Sequence, residues 1–311
     1  MNAKRMSSPT GPATSTTTRA RKKRAGSEGA QTTRKITAGR GAMTQQPIRR
    51  IGLELPMGAS IDAMSEAIIS LAAKTTAELF GLFVQEEDLL RFAGLPFSFE
   101  ICRTTNVRRP VSAGVIAQEL EQEAAKARRT LEGEAARAGV RCSFKVLHGA
   151  VAPALAQSLT ELDVLVVRSS PARLGVVTRV LPEPRQPVIS VLDRTPAGRR
   201  ALQLGIDLAR ELSRPLHVLV SAANQAGASR LITVLKGQAS GLEPPPALST
   251  EVVIDGSLDA LLARAASRRP VTLILPYGSK PDLGGAVGSP DAAQAISTLR
   301  AHPSCPIVLT A

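Results

Sequence analysis

The chain is predicted to be an α/β protein made of two tandem, doubly wound parallel sheets of Rossmann-like type, behind a disordered N-terminal tail. Two observations carry this. Residues 188–220 read as strand, turn, helix and strand, and residues 51–84 read the same way, with LAAKTTAELFGLFV set against LARELSRPLHVLV. A second pair of segments also matches. The run from Gly149 to Val167 and the run from Gly256 to Leu275 each pass from a turn through a helix into an apolar strand. Strands alternating with helices across short turns imply a parallel sheet with helices on both faces.

Each element follows from local pattern. Val188 to Leu192 is a β-branched apolar run, and Thr195 is placed to cap the helix that follows. Leu202, Ile206, Leu208, Ala209 and Leu212 recur at helical spacing until Arg214-Pro215 ends them. Leu216 to Val220 is the next buried strand. In the first copy the strand is Ile51 to Leu55, the helix spans about 61–75, and Glu78 to Val84 is strand two. An irregular loop is expected over 103–109, then a long amphipathic helix from Ser112 to Gly139 with a solvated, mixed-charge outer face. Cys142 to Leu147, a helix over 152–159 and Asp163 to Val167 complete that copy. The second closes with Thr250 to Ile254, a helix over 258–267, Val271 to Leu275, a helix opening at Gly288-Ser289, and Pro306 to Thr310. Domain boundaries follow: a tail at 1–47, a first domain at 48–187 and a second at 188–311. The first domain lacks room for a full fifth strand. Either Gly175 to Val180 is a degenerate one, or Val188 to Leu192 shares the role.

Composition excludes several classes. The 311 residues contain no Trp and one Tyr, so the core is aliphatic. No apolar run approaches the roughly 18 residues of a membrane span, and no apolar signal-peptide core is present. Three isolated cysteines, Cys102, Cys142 and Cys305, lack metal-type spacing and read as reduced thiols of a cytoplasmic protein. The formal charge of +13 is concentrated: residues 1–47 hold ten Lys or Arg and one acid, which leaves +4 for the rest. That tail is too poor in large apolar residues to fold alone. It is a basic arm for nucleic acid or acidic partners, a solvated leader, or a stretch ahead of a start at Met43. Nucleic acid is expected nowhere else.

Catalytic motifs are missing. The sequence has no GxxxxGK[ST], HExxH, GxSxG or CxxC, and His148, His217 and His302 are scattered, with His217 inside an apolar strand as a structural residue. The expectation is a protein that is not an enzyme and holds no metal. Five of the six Phe fall between Phe80 and Phe99. They read as rings packing a loop onto the sheet, or as an exposed patch for a protein partner.

In a doubly wound sheet ligands sit at the carboxyl ends of strands, near the switch in strand order. The loops after Leu55, Val167, Leu192 and Leu275 are therefore the places for chemistry. After the last of these, Gly278 follows the strand, nine residues intervene, and Gly288-Ser289 opens a helix whose N–H groups and dipole suit an anion. Together with Cys305-Pro306-Ile307-Val308 and Asp193, this resembles the universal stress protein family over about residues 48–311. The phrase LFVQEEDLLRFAGLPF is similar to the segment after strand two in tandem members. The resemblance implies a stress-response or regulatory role and ATP in the second half, with Gly278, Gly288 and Ser289 at the phosphates and Asp193 toward the ribose or base. It also implies pairing of the two copies within one chain, or a homodimer. The chain departs from the family pattern at Leu275, where a glycine belongs, and at Lys280-Pro281-Asp282. In the first half Leu55-Pro56 and Arg168-Ser169-Ser170-Pro171 stand where acid and Gly-Ser belong, so no nucleotide is expected there.

Overall fold

The computed structural model describes residues 47–58, 60–101, 104–168, 186–239, 247–254, 256–277, 292–301 and 305–311. The tail, the candidate fifth strand at Gly175 to Val180, and Gly278, Gly288 and Ser289 lie outside the described residues. Residues Gln45–Ala311 form one compact unit.

The first half runs β1 (Arg50–Glu54), α1 (Ala63–Thr75), β2 (Glu78–Gln85), α2 (Glu87–Ala93), β3 (Phe99–Ile101), β4 (Arg108–Pro110), α3 (Ala113–Arg137), β5 (Cys142–His148), α4 (Val151–Ser158) and β6 (Val164–Val167). The second runs β7 (Val188–Leu192), α5 (Pro196–Glu211), β8 (Leu216–Ala222), α6 (Gln225–Ala239), β9 (Leu248–Ile254), α7 (Leu258–Ser267), β10 (Thr272–Pro276), α8 (Ala292–Ala301) and β11 (Ile307–Thr310). Caps fix the helix starts. Asp62, Thr195 and Ser257 each accept a hydrogen bond from a backbone N–H three residues on. Two elements depart from expectation. The loop at 103–109 ends in β4, which pairs antiparallel with β3 as a separate two-stranded sheet. Helix α6 was not anticipated; Asn224 opens it by accepting from the Gly227 N–H at 2.8 Å.

The main sheet has nine strands in the order β5-β2-β1-β6-β11-β10-β7-β8-β9. All neighbours are parallel except β6 and β11, which pair antiparallel from Ile307 opposite Val167 to Thr310 opposite Val164. Each half thus repeats one winding, and the halves run in opposite directions within a single sheet. The position next to β6 is taken by β11. Strand β7, one of the two alternatives for the fifth-strand role, instead pairs with β8 and β10. The other alternative, Gly175 to Val180, lies outside the described residues.

Helices cover both faces, as a doubly wound sheet requires. Ile68, Leu131, Leu202 and Leu231 from α1, α3, α5 and α6 fill one core, and Leu155, Leu261 and Ile296 from α4, α7 and α8 fill the other. Across the seam α1 packs on α5 and α4 on α8. Close approach of α5 to β7 depends on Gly205, where a Cβ would lie 2.8 Å from the Ser190 Cβ. Gly133, on α3, has nothing within 4 Å of the same position. Gly205→Ala is therefore expected to destabilise by about 1–3 kcal/mol through overpacking. Gly133→Ala should stabilise by about 0.5–1 kcal/mol through helix propensity. Urea denaturation of the two variants checks the opposite signs.

Candidate functional site

Because the halves are antiparallel, their two switch points open on opposite edges of the sheet. One lies where β1 and β6 end, at Glu54-Leu55 and Arg168. The other lies where β7 and β10 end, at Asp193 and Tyr277. The same construction gives the two crevices different contents.

At the first, Glu54 is 2 % exposed, buried at the end of a strand whose other buried residues, Ile51 to Leu53, are apolar. A buried carboxylate needs partners, and it has two. Its Oε2 accepts the Arg168 backbone N–H at 2.7 Å, and its Oε1 is ion-paired with Arg300. Arg300 stands in the last turn of α8, a place favourable to a cation. The antiparallel seam brings that helix end, just before β11, to the carboxyl ends of β1 and β6. Arg168 in turn reaches Asp62, the cap of α1, at 2.7 Å. Burial pushes the Glu54 carboxyl above its ordinary range, with Arg300 and the Arg168 N–H opposing in part. Asp62 is instead held below the usual range: burial acts upward but is outweighed by Arg168 and the Ser65 hydrogen bonds. The acid at this strand end is thus held within an internal network that runs from Arg300 through Glu54 and Arg168 to Asp62.

At the second crevice Asp193 directly follows β7 and is 4 % exposed. Its Oδ1 accepts from the Thr195 N–H at 2.9 Å and from the Thr195 hydroxyl at 2.5 Å. The Thr195 hydroxyl oxygen accepts from the Gly198 N–H at 2.9 Å, which starts α5. Gly198 is required by this arrangement, since a Cβ there would lie 2.1 Å from Asp193 Oδ1. Around it, Tyr277 N–H donates to the Thr310 carbonyl, and Arg200 donates to the Ala311 carbonyl. The Thr310 hydroxyl donates to the Ala197 carbonyl at 3.1 Å. Asp193 thus stands at the predicted strand end with one carboxylate oxygen already ordering the turn. Its juxtaposition with Gly278, Gly288 and Ser289 falls outside the described residues.

A third cluster escaped sequence reasoning. His217, in β8, is 2 % exposed, and its Nδ1 lies 2.7 Å from the Ser249 hydroxyl. Its Nε2 is buried without a hydrogen-bond partner among the described residues, 3.6 Å from Glu251 Oε2. Glu251 is held by Arg264 at 3.1 Å and Arg268 at 2.8 Å. The signal was present in alternation: Ser249 and Glu251 share a face of β9. His217 begins β8, so this cluster lies away from the strands' carboxyl ends. His148 is exposed at the end of β5. Among the described residues no group of three or more His, Cys, Asp or Glu is arranged to hold a metal, and no helix is long and apolar enough to cross a membrane.

Two predictions follow from burial. Arg300→Leu leaves Glu54 buried and unpaired and should cost about 3–5 kcal/mol, whereas Glu54→Leu combined with Arg300→Leu should recover most of that loss, as read from chemical denaturation. His217 is pushed below its ordinary value by burial and then by Arg268, with Glu251 opposing. The unfolded chain therefore takes up a proton near pH ~6.5 that the folded protein resists. Stability from this residue is present above that pH and is lost as pH falls toward the folded value. Urea midpoints measured between about pH 7 and about pH 5 should decline more steeply for the native chain than for His217→Gln.

No family model matches the chain, and no curated protein matches it. Among solved structures it is similar to a putative universal stress protein from Pseudomonas aeruginosa UCBPP-PA14, at 11% identity over 85% of this chain and 93% of that one, with a TM-score of 0.44. It is also similar to a universal stress protein from Archaeoglobus fulgidus DSM 4304, at 11% identity over 83% and 95%, with a TM-score of 0.43. A universal stress protein in complex with cAMP matches at 14% identity over 56% of this chain and 97% of that one, with a TM-score of 0.27.

Proposed function

We propose that this is a universal-stress-protein-like regulatory or stress-response protein of the cytoplasm, without enzymatic activity, in which one ATP site lies in the second half. In this reading the two repeats act as domains, 48–187 and 188–311, paired within one chain. The observation that carries it is the contrast between the crevices. Glu54 is neutralised internally, whereas Asp193 occupies the carboxyl end of β7 at a switch point, where a doubly wound sheet receives ligands. The Gly278, Gly288 and Ser289 pattern in the sequence supplies phosphate contacts in the same half. The basic tail is the one place for a nucleic-acid contact.

The test is calorimetric titration of ATP into the full chain, repeated with Gly288→Val, since a branched Cβ blocks close backbone approach to phosphate. Micromolar binding, weakened by about tenfold or more in the variant, is expected. Absence of heat at millimolar ATP would sink the nucleotide reading.

A second reading is favoured by a separate observation, a protein-docking role for the Phe80 to Phe99 segment. Phe83 is buried, and Phe80 is partly buried under Lys145, 5.4 Å from its ring. Phe92, Phe97 and Phe99 are half or more exposed. Packing of the loop onto the sheet thus accounts for two of the five rings and fails for three.

A further inference from the structure

Among the described residues, seven of the twelve exposed large apolar side chains lie in one stretch of the chain. Phe92, Leu95, Phe97, Phe99, Ile101, Val107 and Val115 all fall in the segment between β2 and the first turn of α3. They form one surface. The Ser98 hydroxyl donates to the Phe92 carbonyl at 2.7 Å, and Val111 N–H donates to the Ser98 carbonyl, which ties the β3–β4 hairpin to the end of α2. Helix α2 packs on α3. Phe99 and Ile101, two apart on β3, share a face.

Phe97 is the extreme case. Its ring is 89 % exposed, and its backbone sits at φ 70°, a region that bulky residues rarely adopt. Both features are unfavourable in an isolated molecule, and both place the ring outward. From these exposures the six side chains from Phe92 to Val107 offer about 600 Å² of apolar area. That is at the limit of what monomers leave bare, about 300–600 Å², and most of the about 800 Å² per partner that a stable complex buries.

We infer that this surface is the interface through which two copies of the chain pair about a two-fold axis. The inference deepens the docking reading above and is independent of nucleotide. Charge selects the occupant. Both signs of charge are exposed on the same segment, Glu87 and Asp88 on α2 beside Arg91, with which they pair, and Arg108 and Arg109 on β4. A two-fold contact sets one copy's acids toward the other's arginines, whereas a nucleic acid would need a single sign. Residues 1–46 of the chain offer few large apolar side chains to cover the rings, Ile36 and three Met.

The experiment is sedimentation equilibrium on the full chain and on Phe97→Gly. Glycine adopts the positive φ freely, so the folded monomer should keep or raise its thermal midpoint. The native chain should dimerise at micromolar concentration, and the substitution should raise the dimer Kd by about tenfold or more. A native dimer that Phe97→Gly leaves intact would assign the interface elsewhere and overturn the inference. So would a native monomer at every concentration, and an apolar fluorescent dye then separates the remaining cases. Dye binding that drops in Phe97→Gly retains a docking face for a different protein; binding that appears only once residues 1–46 are removed assigns the face to the chain's own tail. No difference between the two proteins sinks the docking reading as well.

Discussion

Everything in this structure depends on four antiparallel residue pairs, from Val164 opposite Thr310 to Val167 opposite Ile307. A parallel sheet built from a duplicated winding leaves each copy with an open edge where its last strand belongs, and open edges invite unwanted pairing. Here β11 closes both copies at once. It is parallel to β10 on one side and antiparallel to β6 on the other. The reversal of direction sets the helix contacts across the seam and turns the two carboxyl edges away from each other. It also delivers the end of α8 to the mouth of the first crevice.

That delivery explains why the crevices differ chemically. Burying a carboxylate costs several kcal/mol unless charge and hydrogen bonds compensate. Glu54 receives both, from Arg300 across the seam and from the Arg168 N–H beside it, and burial still raises its pKa. The pair links the two halves across the seam and occupies both oxygens of the acid. Asp193 solves the equivalent problem locally. The Thr195 N–H and hydroxyl satisfy one of its oxygens within the turn that launches α5, so no residue from the first half is needed.

What the sequence revealed and what it hid divide along the same physical line. Local signals sufficed for the repeat, for the cap Thr195 and for most strands, because periodicity and capping act over a few residues. Asp193 was legible as the residue ending a strand at a switch point. Arg300 was not, because its partner lies 246 positions away and only the antiparallel seam joins them. The same holds for β11 as neighbour of β6, since nothing in Ile307–Thr310 states which edge it will take. Helix α6 was missed although Leu231 and Leu235 are helically spaced; turn-like residues around it masked the pattern. The phenylalanines show a different limit. Composition clusters them, but burial of Phe83 and exposure of Phe97 depend on a left-handed residue and a hairpin too short to declare itself.

The two halves also differ by what lies between their second strand and the helix after it. In the second half α6 starts at Gln225, directly after β8 ends at Ala222. In the first half the chain leaves β2 at Gln85 and reaches α3 only at Ala113, and the interval holds α2, β3 and β4 with nearly all the exposed aromatic surface. The insertion thus falls in the copy whose crevice is closed by its own ion pairs. A duplicated sheet needs only one ligand crevice to respond to a ligand. With Glu54 paired to Arg300 and to the Arg168 N–H, the end of β1 in the first copy is filled from within the chain. Its extra segment carries the exposed apolar side chains from Phe92 to Val107, for which the second half has no counterpart among the described residues. In both halves the seam is the common constraint, since it delivers Arg300 to Glu54 and joins the two copies in one continuous sheet.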